Sequence, residues 1–175
     1  SPGLLGAFVL LGLFPLVASR AVEFFKARRV YARWTRPRKF DRNMVVIGAG
    51  SGGLVAALIA AVVKAKVTLV EKHEMGGDCL NTGCVPSKAL IKTARVLAQM
   101  RRAKEYGLKS ADAQFDFADI MDRVQRVVRT IEPHDSVERF TGLGVECIMG
   151  EAKMVSPWEV EIREAGGATR RLTTR

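Results

Sequence analysis

The stretch VVIGAGSGG, Val45 to Gly53, restricts the fold more than any other part of the chain. Met44 to Ile47 is short, apolar and rich in β-branched residues, the pattern of a buried strand. Gly48, Gly50 and Gly53 then satisfy G-x-G-x-x-G, and Leu54, Val55, Leu58, Ala61 and Val62 follow at helical spacing. Strand, glycine turn and helix in that order is the setting in which this pattern cradles a dinucleotide. Gly48 permits the tight turn, Gly50 lets backbone approach a pyrophosphate, and Gly53 lets the helix pack on the strand. The helix N-terminus then faces the phosphates. A second strand is expected over Lys66 to Val70, ending at Glu71. A carboxylate about 20 residues beyond the loop is placed to accept ribose hydroxyls. The loop does not distinguish FAD from NAD, because both carry an ADP moiety.

Cys79 and Cys84 lie in GGDCLNTGCVPSK, Gly76 to Lys88, close behind Glu71. In a doubly wound sheet, the segment leaving the second strand passes over the ligand crevice. Three readings of the pair compete. Zinc needs four ligands, and Cys147 with two scattered histidines does not supply them; no other metal-binding spacing is present. A structural disulfide closing so short a loop gains modest entropy. A redox disulfide fits best. Residues five apart in a regular helix are about 7.5 Å apart along the axis, whereas bridged Cα atoms lie within about 6.8 Å. The stretch therefore has to depart from a regular helix, and Gly83 is expected to supply the backbone freedom. Lys88 follows Cys84 by one helical turn, where its ammonium favours a thiolate.

GAGSGG, then VEK, then GGDCLNTGCVPSK together resemble the first class of pyridine nucleotide-disulfide oxidoreductases, over about Arg42 to Arg175. That resemblance implies an α/β, Rossmann-like FAD-binding domain with a parallel sheet, helices and a small antiparallel β meander. It implies a homodimer, with electrons passing from NAD(P)H through FAD to the disulfide and on to a substrate. It makes Cys79 the outer thiol that attacks substrate and Cys84 the thiol beside the flavin, and both catalytic. It places Gly48, Gly50, Ser51, Gly52, Gly53, Glu71, Lys72, Gly77, Asp78, Cys79 and Lys88 against FAD, with Ala152 near the adenine side. The chain departs from the family in the turn Val63–Lys66, which lacks a usual glycine. It also stops before the family's nicotinamide-binding and dimerisation domains and their catalytic His–Glu pair. His73 and His134 do not fill that role. The chain reads as an internal fragment of a longer protein.

Ser1 to Ser19 is uncharged and rich in Leu, Val, Phe and Ala, about the minimum length to cross a bilayer. Arg20 to Arg42 then carries nine Lys/Arg and two acids, whereas the whole chain is only +10. Charge following an apolar span marks the cytoplasmic side, and a secretory signal would carry its charges first. The expected organisation is a transmembrane helix over 1–19, a basic juxtamembrane linker over 20–41 and the truncated FAD domain over 42–175. The alternative for the apolar stretch is a buried core helix. Nucleic-acid binding by the basic run is disfavoured, since it abuts an apolar stretch outside the domain. The junction is similar to that of bacterial proteins in which a SNARE-associated Golgi-type membrane domain precedes an oxidoreductase.

Asp116 is placed to cap a helix striped by Ile120, Val124, Val127, Val128 and Ile131. Val145 to Met149 reads as a strand with Cys147 as a small buried residue. Trp158 to Ile162 and Arg171 to Thr174 read as a hairpin turning near Gly166 and Gly167. Two function classes follow: a membrane-tethered flavin-dependent disulfide oxidoreductase in cell redox homeostasis, or a flavin-binding module whose thiols only sense redox state. The cysteine pair with Lys88 favours the enzyme. Its electron acceptor, whether a thiol or disulfide, dihydrolipoamide or a mercuric ion, is not legible in these residues.

Overall fold

The computed structural model describes residues 2–175, with side chains from Leu13 onward. Five strands form one sheet in the order β1-β2-β3-β4-β5. β1 (Met44–Ile47), β2 (Val67–Glu71) and the start of β3 (Glu146–Ser156) are parallel. The rest of β3 pairs antiparallel with β4 (Glu159–Glu164), and β4 with β5 (Thr169–Thr173). β3 is thus shared, and the switch falls at Gly150. A Cβ there would lie 2.3 Å from the Arg163 carbonyl oxygen, so only glycine lets β4 approach. The meander is the hairpin the sequence predicts, shifted by one or two residues.

Connections between parallel strands need helices, and the apolar spacing supplies them. After α1 (Pro2–Tyr31), α2 (Ser51–Val62) buries Leu54, Ala57 and Ala61 against Val46, Val67 and Leu69. From β2 the chain runs through α3 (Gly77–Asn81), α4 (Cys84–Arg101), α5 (Phe117–Ile131) and α6 (Val137–Gly142) before β3. Asp116 caps α5 as expected, its side chain accepting the Ala118 N–H at 2.8 Å. Val124 and Val128 of the expected stripe are buried, and the Arg123 guanidinium donates to the Ala89 carbonyl of α4 at 2.9 Å. Under the meander, Val70, Ile148, Val160, Ile162 and Leu172 form a second core.

Helix α1 does not end at Ser19. It continues to Tyr31, because no glycine or proline interrupts the good helix formers before Pro37. The first half of the expected linker is therefore helical. Its end docks on the meander, with the Tyr31 and Trp158 rings 5.3 Å apart. Most of the expected membrane span falls on residues 1–12, whose side chains lie outside the described residues. Among the described residues, no helix is long and apolar enough to cross a membrane.

At the amino ends of the strands, Arg42, Thr68, Glu146 and Arg170 form a polar cluster. Glu146 takes hydrogen bonds from Arg42, from the Thr68 hydroxyl at 2.7 Å and from Arg170 at 2.8 Å. Burial pushes its carboxyl up, but these donors outweigh burial and hold it at about 2.

Candidate functional site

The glycine loop leaves β1 at the carboxyl end of the sheet. Gly48 has φ +95°, so a side chain there would be strained, and its N–H donates to the Val70 carbonyl at 2.7 Å. A Cβ on Gly53 would fall 1.9 Å from the Gly48 carbonyl oxygen, which is why the first turn of α2 lies so close to the loop. Gly48, Gly50 and Gly52 have nothing within 4 Å of where a Cβ would stand. The loop therefore has a bare backbone face at a helix N-terminus, a shape and polarity that fit a pyrophosphate.

Glu71 ends β2 beside this face. Its carboxylate accepts the Ala49 N–H at 2.5 Å and the His73 N–H at 2.8 Å. Burial pushes its pKa up, but the N–H groups of His73, Ala49 and Lys72 outweigh it, so the net shift is downward. Glu71 thus stays ionised with lone pairs left for ribose hydroxyls. It also ties the loop to the strand, a role the motif spacing does not reveal. A recess of about 310 Å³ runs from Gly50 and Glu71 past Gly77 and Asp78 to Asn81 and Thr82.

The cysteine motif rests directly on the loop. A Cβ on Gly77 would lie 2.9 Å from the Gly50 Cα, and the Gly76 N–H donates to the Ala49 carbonyl at 2.9 Å. The Asn81 amide braces the turn, donating to the Met75 and Gly77 carbonyls at 3.1 and 3.0 Å. Between the cysteines the helix breaks, as the disulfide geometry requires: α3 ends at Asn81 and α4 starts at Cys84. Gly83 makes the break, but not through a left-handed conformation. Its φ is −113°, and a Cβ would lie 2.8 Å from the Asp78 carbonyl oxygen. The space beside the Asp78 carbonyl is thus a second demand for glycine, besides the backbone freedom the sequence predicts.

The Cys79 and Cys84 sulfurs are not bridged in this structure. The hydrogen bond from Cys84, then that from the Ser51 hydroxyl, lowers the Cys79 pKa, and Cys79 in turn raises that of Cys84. The Lys88 ammonium lowers both. The Cys79 thiol is thus the one drawn down and the Cys84 thiol the one pushed up. The Ser51–Cys79 contact escaped the sequence reading, although Ser51 opens the helix that faces the motif. Lys72 pairs with Glu151 at 3.1 Å, which brings the stretch containing Ala152 beside the end of β2. Ala152 itself is half-buried in the β3–β4 ladder. His73 and His134 are exposed and stand apart from the thiols' hydrogen bonds. Cys147 is half-buried beneath the sheet, and burial raises its thiol pKa, as befits a packing residue.

Residues 42–171 match the pyridine nucleotide-disulphide oxidoreductase family. A dihydrolipoyl dehydrogenase from Geobacillus stearothermophilus is 41% identical over 123 residues, covering 70% of this chain and 26% of that protein. That of Chlamydia muridarum is 39% identical over 124 residues (69% and 26%). That of Zymomonas mobilis is 37% identical over 146 residues (74% and 31%). The chain thus spans between about a quarter and a third of these relatives' length. The crystal structure of LpdA from Mycobacterium tuberculosis superposes with a TM-score of 0.62 at 24% identity, over 74% of this chain and 29% of that one, and shares the fold.

Proposed function

Because this chain belongs to the pyridine nucleotide-disulphide oxidoreductases, we propose that it is the flavin-binding segment of an enzyme that passes electrons between NAD(P)H and the Cys79–Cys84 pair. The observation that carries this reading is the contact of Gly77 with Gly50, which seats the thiols on the cofactor cradle. FAD, when bound, supplies the two-electron couple between nicotinamide and disulfide. The loop backbone would hold its pyrophosphate, and Glu71 its ribose. Asp78 lines the same recess, and Ser51, Lys72 and Lys88 would meet the flavin from their places in the motif.

Two electrons and two protons open the Cys79–Cys84 disulfide to two thiols. The Cys79 thiolate then attacks a substrate disulfide, forming a mixed disulfide and releasing one substrate thiol. Cys84 attacks the Cys79 sulfur, releases the second thiol and restores the disulfide. The same steps in reverse oxidise a dithiol such as dihydrolipoamide. We assign the substrate as a disulfide acceptor or, in the reverse direction, a dithiol donor, in keeping with the relatives' names, and the working unit as a homodimer of the longer protein.

The test is made on the full-length protein. It should purify with FAD and show a reversible Cys79–Cys84 disulfide. Cys79→Ser and Cys84→Ser should each abolish disulfide turnover, while Cys147→Ser should retain it. Only Cys79→Ser, which leaves Cys84 free beside the flavin, should keep a long-wavelength absorption band. Turnover that survives both serine variants would show that the thiols do not carry it, whereas bound flavin with no disulfide turnover in the unaltered protein would favour the redox-sensing alternative.

The N-terminal segment supports a tether. An uncharged apolar stretch up to Ser19 leads into the basic segment, which favours a bilayer anchor with the flavin domain on the cytoplasmic side. This also suits fusion to a membrane domain. Carbonate and high-salt washes should leave the protein in the membrane, and release by salt alone would refute the span.

A further inference from the structure

Before β1 and β2, at the end of the strands opposite the glycine loop, the chain forms an open surface recess of about 520 Å³. Six cations line it: Arg36, Arg38, Lys39, Arg42, Lys66 and Arg175. Arg42 is committed to the Thr68 hydroxyl and to Glu146. The one lining carboxylate, Asp41, is also committed, accepting the Thr173 N–H at 2.9 Å and the Thr173 hydroxyl at 2.8 Å. The other five cations have no ion-pair partner among the described residues. Phe40 gathers two of them, with the Arg36 and Arg175 guanidiniums 5.8 and 5.9 Å from its ring centroid. Lys66 and Arg175 reach the cavity from distant parts of the chain, so the fold assembles this charge. Five unpaired cations facing one recess give it a positive potential that draws an anion.

The surroundings indicate where that anion comes from. The Trp158 carbonyl accepts the Thr174 N–H at 2.9 Å, and Thr174 bridges to Arg42 at the cavity wall. Tyr31 stacks on the same Trp158, so the end of α1 and the cavity belong to one contiguous surface. That end of α1 carries Arg28 and Arg29, with Arg33 over the Trp34 ring just beyond. Phe24, Phe25 and Trp34 are exposed there. Exposed aromatics interleaved with arginines suit the headgroup layer of a membrane.

We infer that the cavity holds the phosphate of an anionic phospholipid headgroup, so that the membrane surface meets the amino ends of the strands and the flavin cradle points away from it. The inference does not depend on a span over 1–19, because no cavity residue lies there. It is tested on the full-length holoprotein by amine acetylation of Lys39 and Lys66, read by mass spectrometry. Vesicles containing phosphatidylglycerol should slow labelling of both lysines about tenfold, and pure phosphatidylcholine vesicles should not. Arg36→Gln/Arg38→Gln/Lys39→Gln should weaken affinity for the phosphatidylglycerol vesicles on the order of a hundredfold, so that Lys66 loses its protection at the same lipid concentration, and should leave flavin content unchanged. Equal protection by inorganic phosphate without anionic lipid would make the cavity a site for free phosphate and overturn the lipid assignment. Absence of protection under every condition would overturn the site itself. Carbonate extraction reports on the span alone, so the two ideas fail separately.

Discussion

The two ends of the parallel strands are built from different materials. At the carboxyl end the working surface is backbone: three glycines, a helix N-terminus, and a carboxylate held by main-chain N–H groups. At the amino end it is side chains: Arg42, Thr68, Glu146 and Arg170 in one cluster, and a ring of cations beside it. A backbone surface tolerates almost no added atoms. A side-chain surface tolerates changes of shape but is sensitive to charge. The two ends should therefore fail in different ways.

The largest expected effect is at the backbone end. Gly53→Val places carbon atoms where the Gly48 carbonyl stands and should cost about 3 kcal/mol or more, with loss of bound flavin. Flavin absorbance and thermal unfolding of the full-length protein check it. Full flavin content in this variant would break the contrast.

Glu146→Gln should cost less, about 1–2 kcal/mol, because the side chain is 36% exposed and solvent screens the cluster. Its folded pKa is depressed, so the stability it adds is present above the ordinary carboxylate value of 4.5 and is lost as pH falls toward about 2. Wild type and variant should converge in stability over that window while keeping equal flavin content at neutral pH. Flavin loss in Glu146→Gln would show that the two ends are coupled.

Smallest is Ser51→Ala, which sharpens the contrast within the backbone end. Removing the hydroxyl that supports the Cys79 thiolate should raise the Cys79 pKa and slow its alkylation at neutral pH a few-fold, with flavin retained. An unchanged pH profile of alkylation would remove Ser51 from the thiol's environment.

The same contrast explains what was legible in the sequence. The carboxyl end is encoded in short contiguous runs, so the strand at Met44, the loop, Glu71 and the break between Cys79 and Cys84 could all be read in advance. The cap at Asp116 and the meander were legible for the same reason, since each depends on near neighbours. The Arg42–Glu146–Arg170 cluster was not, because its members are separated by most of the domain and meet only through strand register. The basic run was visible as charge, but Lys66 and Arg175 joined it only on folding. The continuation of α1 to Tyr31 was missed because charge was read as a boundary, although helix propensity does not change at Ser19.

The contact between Gly50 and Gly77 also sets a rule of length. Only Lys72 to Met75 separate the end of β2 from the left-handed Gly76, and on both sides of them the backbone is pinned, at Glu71 to the loop and at Gly77 against Gly50. Of these positions His73 and Glu74 are exposed and can change in sequence, but an inserted or deleted residue would have to be absorbed at the pins themselves, sliding the thiols along the cradle. Substitutions should be plentiful at His73 and Glu74, while length variants should be confined to relatives in which both pinning glycines have also been replaced.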